Sequence, residues 1–265
     1  MKILFIGDIV GRSGRETVKK ALPKIKEDQM PDLIIANGEN LAHGRGLTPE
    51  TIEEMKQAGI DFFTSGNHIY NNKAAIEKLN DKSFPVIRPA NFPPGSPGRG
   101  YHIYETAKMQ KIAIINLHGR VFITENYDCP FRKADEILEE IKGDQPNAII
   151  IDFHAEATSE KIAFAKYLDG RVGAIVGTHT HVPTADAQIF ESKTAYITDV
   201  GMVGASDSVI GAKKEDIINS FLTQMPFKYD IADGPSTFNA VLIELNDSNG
   251  MATEITPIIQ NFDNN

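Results

Sequence analysis

Ala174-Ile-Val-Gly-Thr-His-Thr-His-Val-Pro183 is a short apolar run that ends in two histidines one residue apart. Side chains at i and i+2 of an extended segment leave the same face, so His179 and His181 can reach one small volume at a strand end. Imidazole is the commonest metal ligand among side chains, and two that converge make a chelating pair. A solvated loop would explain this pair equally well if it stood alone. Recurrence along the chain decides between the two.

Four more apolar runs end in a residue able to bind a metal. Lys2-Ile-Leu-Phe-Ile-Gly7 runs into Asp8, and Asp32-Leu-Ile-Ile-Ala36 into Asn37-Gly-Glu-Asn40. Asp61-Phe-Phe-Thr-Ser-Gly66 runs into Asn67-His68, and Ala148-Ile-Ile-Ile-Asp-Phe153 into His154. Short β-branched or aromatic runs closed by Gly or a polar break read as strands buried on both faces. Helical spacing fills the gaps: Thr17, Val18, Leu22 and Ile25; Asn72 through Ile76 and Leu79; Phe131 through Ile137, Leu138 and Ile141; Ser159 through Ile162, Phe164 and Leu168. Thr48-Pro49-Glu50 opens one more helix with an N-cap residue, a proline at the first position and an early acid.

Strands that alternate with helices imply parallel pairing and right-handed crossovers, which bring the carboxyl ends to one edge, where open α/β sheets place ligands. Asp8, Glu39, Asn40, Asn67, His68, His154, His179 and His181 are then expected on one rim, as a metal site. After Gly100 the strand pattern returns at Tyr101–Tyr104 and Lys111–Leu117, and later at Thr194–Thr198, Ala240–Glu244 and Thr253–Ile258, with one helix from Glu215 to Leu222. That run predicts a second, mostly antiparallel sheet packed against the first.

The ordered motifs resemble those of the calcineurin-like metallophosphoesterases: Gly7-Asp8, Gly38-Glu39-Asn40, Gly66-Asn67-His68, His154, and Gly177-Thr-His-Thr-His181. Gly7-Asp-Ile-Val-Gly-Arg-Ser-Gly-Arg15, Asn116-Leu-His-Gly-Arg-Val-Phe122 and Thr198-Asp-Val-Gly-Met202 resemble segments of the bacterial YmdB family of cyclic-nucleotide phosphodiesterases, over nearly the whole chain. The usual Asp-x-His opening is absent, since Ile9 and Val10 follow Asp8, and Glu39 stands at the bridging position usually held by Asp. The resemblance implies an α/β fold, an αββα sandwich of two mixed sheets flanked by helices, spanning residues 1–265 as one domain. It also places Asp8, Glu39, Asn40 and His181 around one metal and Glu39, Asn67, His154 and His179 around another.

Composition bounds the rest. The net charge of −9 and the lack of a Lys/Arg block weigh against a polyanion partner, and no apolar run approaches the roughly 20 residues of a membrane span. Cys129 is the only cysteine, which excludes an internal disulfide and points to the cytoplasm. Carboxylate, amide and imidazole without thiolate suit manganese, iron or zinc. The resemblance favours two ions, iron and/or manganese, and a phosphodiesterase acting on 2′,3′-cyclic and 3′,5′-cyclic nucleotides through a metal-activated hydroxide, with His68 as proton donor. A nucleotidase or phosphomonoesterase would use the same metals. A regulatory nucleotide- or RNA-binding protein with a structural metal site is the alternative of another class, but it would need no spare acid at His68. The expected partners are a small cyclic nucleotide and further copies of the chain, with no membrane and no extended nucleic-acid surface. Arg12, Arg15 and Arg120 are candidates for phosphate contacts or, equally, for surface ion pairs; His43, His102, Asp152 and Asp199 are read as loop, strand or capping residues, and His118 is assigned no role.

Overall fold

In β1 (Lys2–Ile6), Leu4 and Ile6 enter one apolar layer and Ile3 and Phe5 another, and all four are fully buried. A strand with two apolar faces has to lie between two layers. The computed structural model describes residues 1–225 and 228–263. The chain continues through β2 (Asp8–Ile9), α1 (Gly11–Gln29), β3 (Leu33–Asn37), α2 (Pro49–Ala58), β4 (Phe62–Thr64) and α3 (Lys73–Lys78). Next come β5 (Tyr101–Glu105), β6 (Lys111–His118), α4 (Pro130–Glu140), β7 (Ala148–His154), α5 (Thr158–Tyr167) and β8 (Ala174–Thr178). The last third holds β9 (Gln188–Ile189), β10 (Ala195–Ile197), β11 (Met202–Ala205), α6 (Lys214–Thr223), β12 (Ser236–Leu245) and β13 (Ala252–Phe262).

Local chemistry explains the helix boundaries. Thr48 caps α2 by accepting from Thr51 N at 3.2 Å, while Thr51 Oγ1 accepts from Thr48 N at 2.9 Å, and Gly59 ends the helix at φ 107°. Asn72 caps α3 through Ala75 N at 3.2 Å.

The first sheet has seven strands in the order β2-β11-β12-β1-β3-β4, with β13 beside β12; the second has six, β5-β6-β7-β8-β10-β9. Three apolar layers result. One packs α1 and α2 on the first sheet, one fills the space between the sheets, and one packs α4 and α5 on the second sheet. This is the expected αββα sandwich.

One expectation is corrected. The second sheet is mainly parallel, from β6 through β7 and β8 to β10, and the ligand-bearing strands divide between both sheets. The antiparallel pair β12/β13 joins the first sheet beside β1. The reason lies in β12: Phe238, Ala240 and Leu242 enter the helix-covered layer, while Val241, Ile243 and Leu245 enter the layer between sheets. Only a place inside the sandwich buries both faces.

Candidate metal centre

The carboxyl-terminal ends of the central strands meet across the two sheets. From the first sheet come Asp8 in β2, Glu39 and Asn40 in the turn after β3, and Asn67 and His68 in the turn after β4. The second sheet supplies His154, the last residue of β7, and His179 and His181 just beyond β8. Asp8, Glu39, Asn40 and His154 are buried, whereas the His68 side chain remains 27 % exposed.

Two groups of contacts emerge. His181 Nε2 lies 3.1 Å from the Asn40 amide and 3.8 Å from Asp8 Oδ1. His154 Nε2 lies 2.5 Å from Glu39 Oε2 and 3.0 Å from His179 Nδ1. Glu39 Oε1 accepts from His68 N at 3.2 Å, and Asp8 Oδ2 from His179 N at 3.2 Å, which ties the two groups together. Asn67 stands apart from these contacts, 3.5 Å from both His68 Nδ1 and His118 Nε2. Among the described residues no three His, Cys, Asp or Glu side chains are arranged as a group ready to hold a metal ion.

The donors nevertheless fit a cation. Among the described residues Asp8 Oδ1 is buried without a hydrogen-bond partner, and buried Glu39 Oε2 has only the His154 imidazole against it, at 2.5 Å. An orphaned buried carboxylate oxygen is costly unless a positive charge faces it. Gly66 leaves the room: a Cβ there would stand 1.6 Å from Glu39 Oε2 and 2.3 Å from His154 Nε2.

Burial raises the Asp8 carboxyl to about 6. Burial also opposes charge on Glu39, but the imidazoles of His154, His68 and His179 outweigh it and hold the group below the usual carboxylate range. His154 is pushed up to about 9, since Glu39, Asp8 and Asp152 overcome its desolvation, while burial and neighbouring His154 push His179 down to about 2. The negative charge of buried Asp8, Glu39 and Asp152 thus favours a proton on His154. A divalent cation would supply that charge instead and displace the proton.

The imidazoles are held by a layer beneath them. Asp152 Oδ1 accepts from Thr178 Oγ1 at 2.7 Å, and Thr178 Oγ1 in turn accepts from His154 Nδ1 at 2.8 Å, leaving His154 Nε2 to the centre. His181 Nδ1 donates to the Ile210 carbonyl at 2.8 Å with the same result. His179 and His181 both adopt left-handed backbone, φ 97° and 67°. Asp199 pins the loop between them by accepting from Thr180 N and Thr180 Oγ1. Buried Lys161 closes the clamp, reaching Asp199 Oδ2 and the Thr178 carbonyl at 2.8 Å each.

The capping reading of Asp152 and Asp199 changes here, while His102, His43 and Arg15 lie as a strand residue, a loop residue and an ion pair. Asp152 and Asp199 are buried network members, and neither caps a helix. His118 is buried 5.3 Å from the His154 ring, and burial lowers it to about 4. Arg15 pairs with Glu54 at 2.7 Å and donates to the Leu41 carbonyl, so it belongs to packing between α1 and α2. Arg120 offers its backbone N–H to Glu160 while its side chain is exposed. His102 stacks on Phe62 at 4.8 Å in β5, and His43 is an exposed turn residue at φ 53°. Lys161 went unnoticed in the sequence, yet its spacing from Ala157, Phe164, Ala165 and Leu168 places it on the buried stripe of α5.

Two facing mixed sheets with histidines and carboxylates on their shared rim define the αββα sandwich of the calcineurin-like phosphoesterases. The 5′-nucleotidase precursor from Thermus thermophilus shares this fold, with a TM-score of 0.60 at 12 % identity over 99 % of this chain and 54 % of that one. The chain itself belongs to the YmdB-like protein family, which matches residues 4–258. It is 47 % identical over 263 residues to the 2′,3′-cyclic-nucleotide 2′-phosphodiesterase of Bacillus subtilis strain 168, covering 99 % of this chain and 98 % of that one. A hypothetical protein from Thermus thermophilus superposes with a TM-score of 0.92 at 40 % identity, covering 99 % and 100 % of the two chains.

Proposed function

We propose that the chain is a metal-dependent phosphodiesterase that opens 2′,3′-cyclic nucleotides, with Asp8, Glu39, Asn40, Asn67, His154, His179 and His181 holding two cations. The observation that carries the reading is a pair of buried carboxylates set among three imidazoles, Asp8 with its Oδ1 unpartnered among the described residues and Glu39 pressed against His154. The substrate is taken from the named activity of the Bacillus subtilis relative. Iron or manganese heads the candidates, and zinc suits the same donors.

When bound, such cations supply a Lewis acid and lower the pKa of water to about 7. The chain's own residues do the rest. Glu39 presents one oxygen toward His154 and the other toward His68, which suits a bridge. The relay from Asp152 through Thr178 holds the His154 ring by Nδ1 and turns Nε2 to the centre, and the Ile210 carbonyl does the same for His181. His68 sits at the exposed edge, its Nε2 3.8 Å from Glu39 Oε1. Burial lowers its pKa against the opposing pull of the Glu39 carboxylate, and its place at the opening makes it the group we assign to protonate the departing 2′-oxygen.

The test is product analysis on 2′,3′- and 3′,5′-cyclic nucleotides, nucleoside monophosphates and bis-p-nitrophenyl phosphate with defined metals. Cleavage of the 2′,3′-cyclic ring to the 3′-monophosphate is expected. Faster release of phosphate from monophosphates would replace the reading with a nucleotidase.

A further inference from the structure

The open side of the centre continues into a cavity of about 370 Å³. Its floor is Glu39, Asn40, His68, His179 and His181, and its wall is apolar: Val10, Ile210, Ile217, Phe221, Tyr229 and Ile231. Phosphate needs only the floor. The wall is therefore suited to a part of the ligand that is neither charged nor strongly hydrated.

The wall is built and held. Ile210 is β-branched yet adopts φ 48°, a conformation that costs energy and persists only when the surroundings impose it. That backbone aims the Ile210 carbonyl at His181 Nδ1 while its side chain lines the cavity, half exposed. One residue thus sets both a ligand tautomer and the wall. Ile231 packs against Gly44, where a Cβ would meet its Cδ1 at 2.1 Å. No residue of α6 is buried, and Phe221 is 73 % exposed although it faces the cavity. Exposed aromatic area beside a polar reaction centre is the arrangement of a site that takes a flat apolar group.

We propose that this wall is a subsite for the nucleobase of the substrate, held against Phe221 and Tyr229 with the phosphorus over the histidines. The proposal rests on the cyclic-nucleotide reading above. Among the described residues the wall carries only two hydroxyls: Tyr229 accepts from Arg45 Nη2 at 2.9 Å, and Ser220, which also lines the cavity, donates to the Met225 carbonyl at 3.3 Å. Because the wall is mostly apolar, the base is gripped chiefly by stacking and exclusion of water, so purines and pyrimidines are both accepted.

Kinetics on adenosine and uridine 2′,3′-cyclic phosphates and on the base-free methyl riboside 2′,3′-cyclic phosphate test this. The parent should favour both base-bearing esters by about 10-fold or more in kcat/KM. Phe221→Ala should erase most of that preference through KM, and Phe221→Tyr should keep it. A parent without preference, or equal losses on all three substrates in Phe221→Ala, overturns the subsite. If no cyclic ester is cleaved, the functional reading fails and the subsite is judged by calorimetry. Tighter binding of adenosine 3′-monophosphate than of ribose 3-phosphate, lost in Phe221→Ala, upholds it, and equal binding overturns it.

Discussion

Glu39 and Phe221 line the same cavity, yet the first is 1 % exposed and the second 73 %. The floor is polar and closed over by its neighbours: His154 leans on Thr178 and Asp152, and His181 on Ile210. The wall is apolar and open, on a helix with no buried residue. Charge buried in the floor has to be balanced and oriented, which requires many fixed partners. Apolar surface in the wall needs only to be covered when a ligand arrives. Change in the floor should therefore reach metal content and stability, and change in the α6 part of the wall affinity alone.

The sharpest break would come at Glu39. Chelation of divalent cations should abolish turnover, and Glu39→Gln should lose metal and turnover together, by more than the roughly 10–100-fold typical of a supporting residue. Full metal content with near-normal turnover in that variant, read by elemental analysis beside kinetics, removes Glu39 from the bridge.

His68 lies where floor meets opening. His68→Ala should keep its metals and lose about 10²–10⁴-fold on a cyclic nucleotide, with a much smaller loss on bis-p-nitrophenyl phosphate, whose leaving group needs no proton. Equal losses on both substrates would make His68 an orienting group, and loss of metal would make it a ligand.

Beneath the floor, Lys161→Met leaves Asp199 buried without its cation and should cost about 3–5 kcal/mol. Metal affinity should fall about 10–100-fold as the His179–His181 loop loosens. The double variant Lys161→Met, Asp199→Asn should recover thermal stability without recovering the affinity. Parent-like melting and metal titration in the single variant would show that the clamp holds nothing.

The smallest effect concerns a histidine outside the centre. Among the described residues His102 has no carboxylate partner, and burial, followed by Arg99, lowers it to about 4. Folded protein then binds fewer protons than unfolded chain between the unfolded value near 6.5 and about 4, so stability falls as pH drops through that window. Partial exposure reduces the loss to about 1 kcal/mol. Melting scans of His102→Phe should show a shallower decline from pH 7 to pH 4.5 than the parent; an unchanged slope would discount His102.

Much of the arrangement was legible because it is local. The two-residue period of Ile3 to Ile6, the Thr48-Pro49 cap and the polar endings at Asp8, Glu39, His154 and His179 depend on neighbours in the chain, and each matches an element or strand end. Sheet membership was not legible. Backbone hydrogen bonds are alike for any partner, so only the burial of both β12 faces put that strand beside β1 and left β6 to β10 mainly parallel. Lys161 was hidden by the phase of its helix, since Ile162, the apolar residue in view, is 40 % exposed while the lysine is 1 % exposed. Ile210 was hidden more deeply. Its carbonyl reaches His181 across 29 positions, through a backbone angle that no side-chain preference announces. The sequence by itself determined which residues end the strands, through periodicity and local caps; only the tertiary structure decided which of them face one another, because that choice is made by burial and charge between segments far apart in the chain.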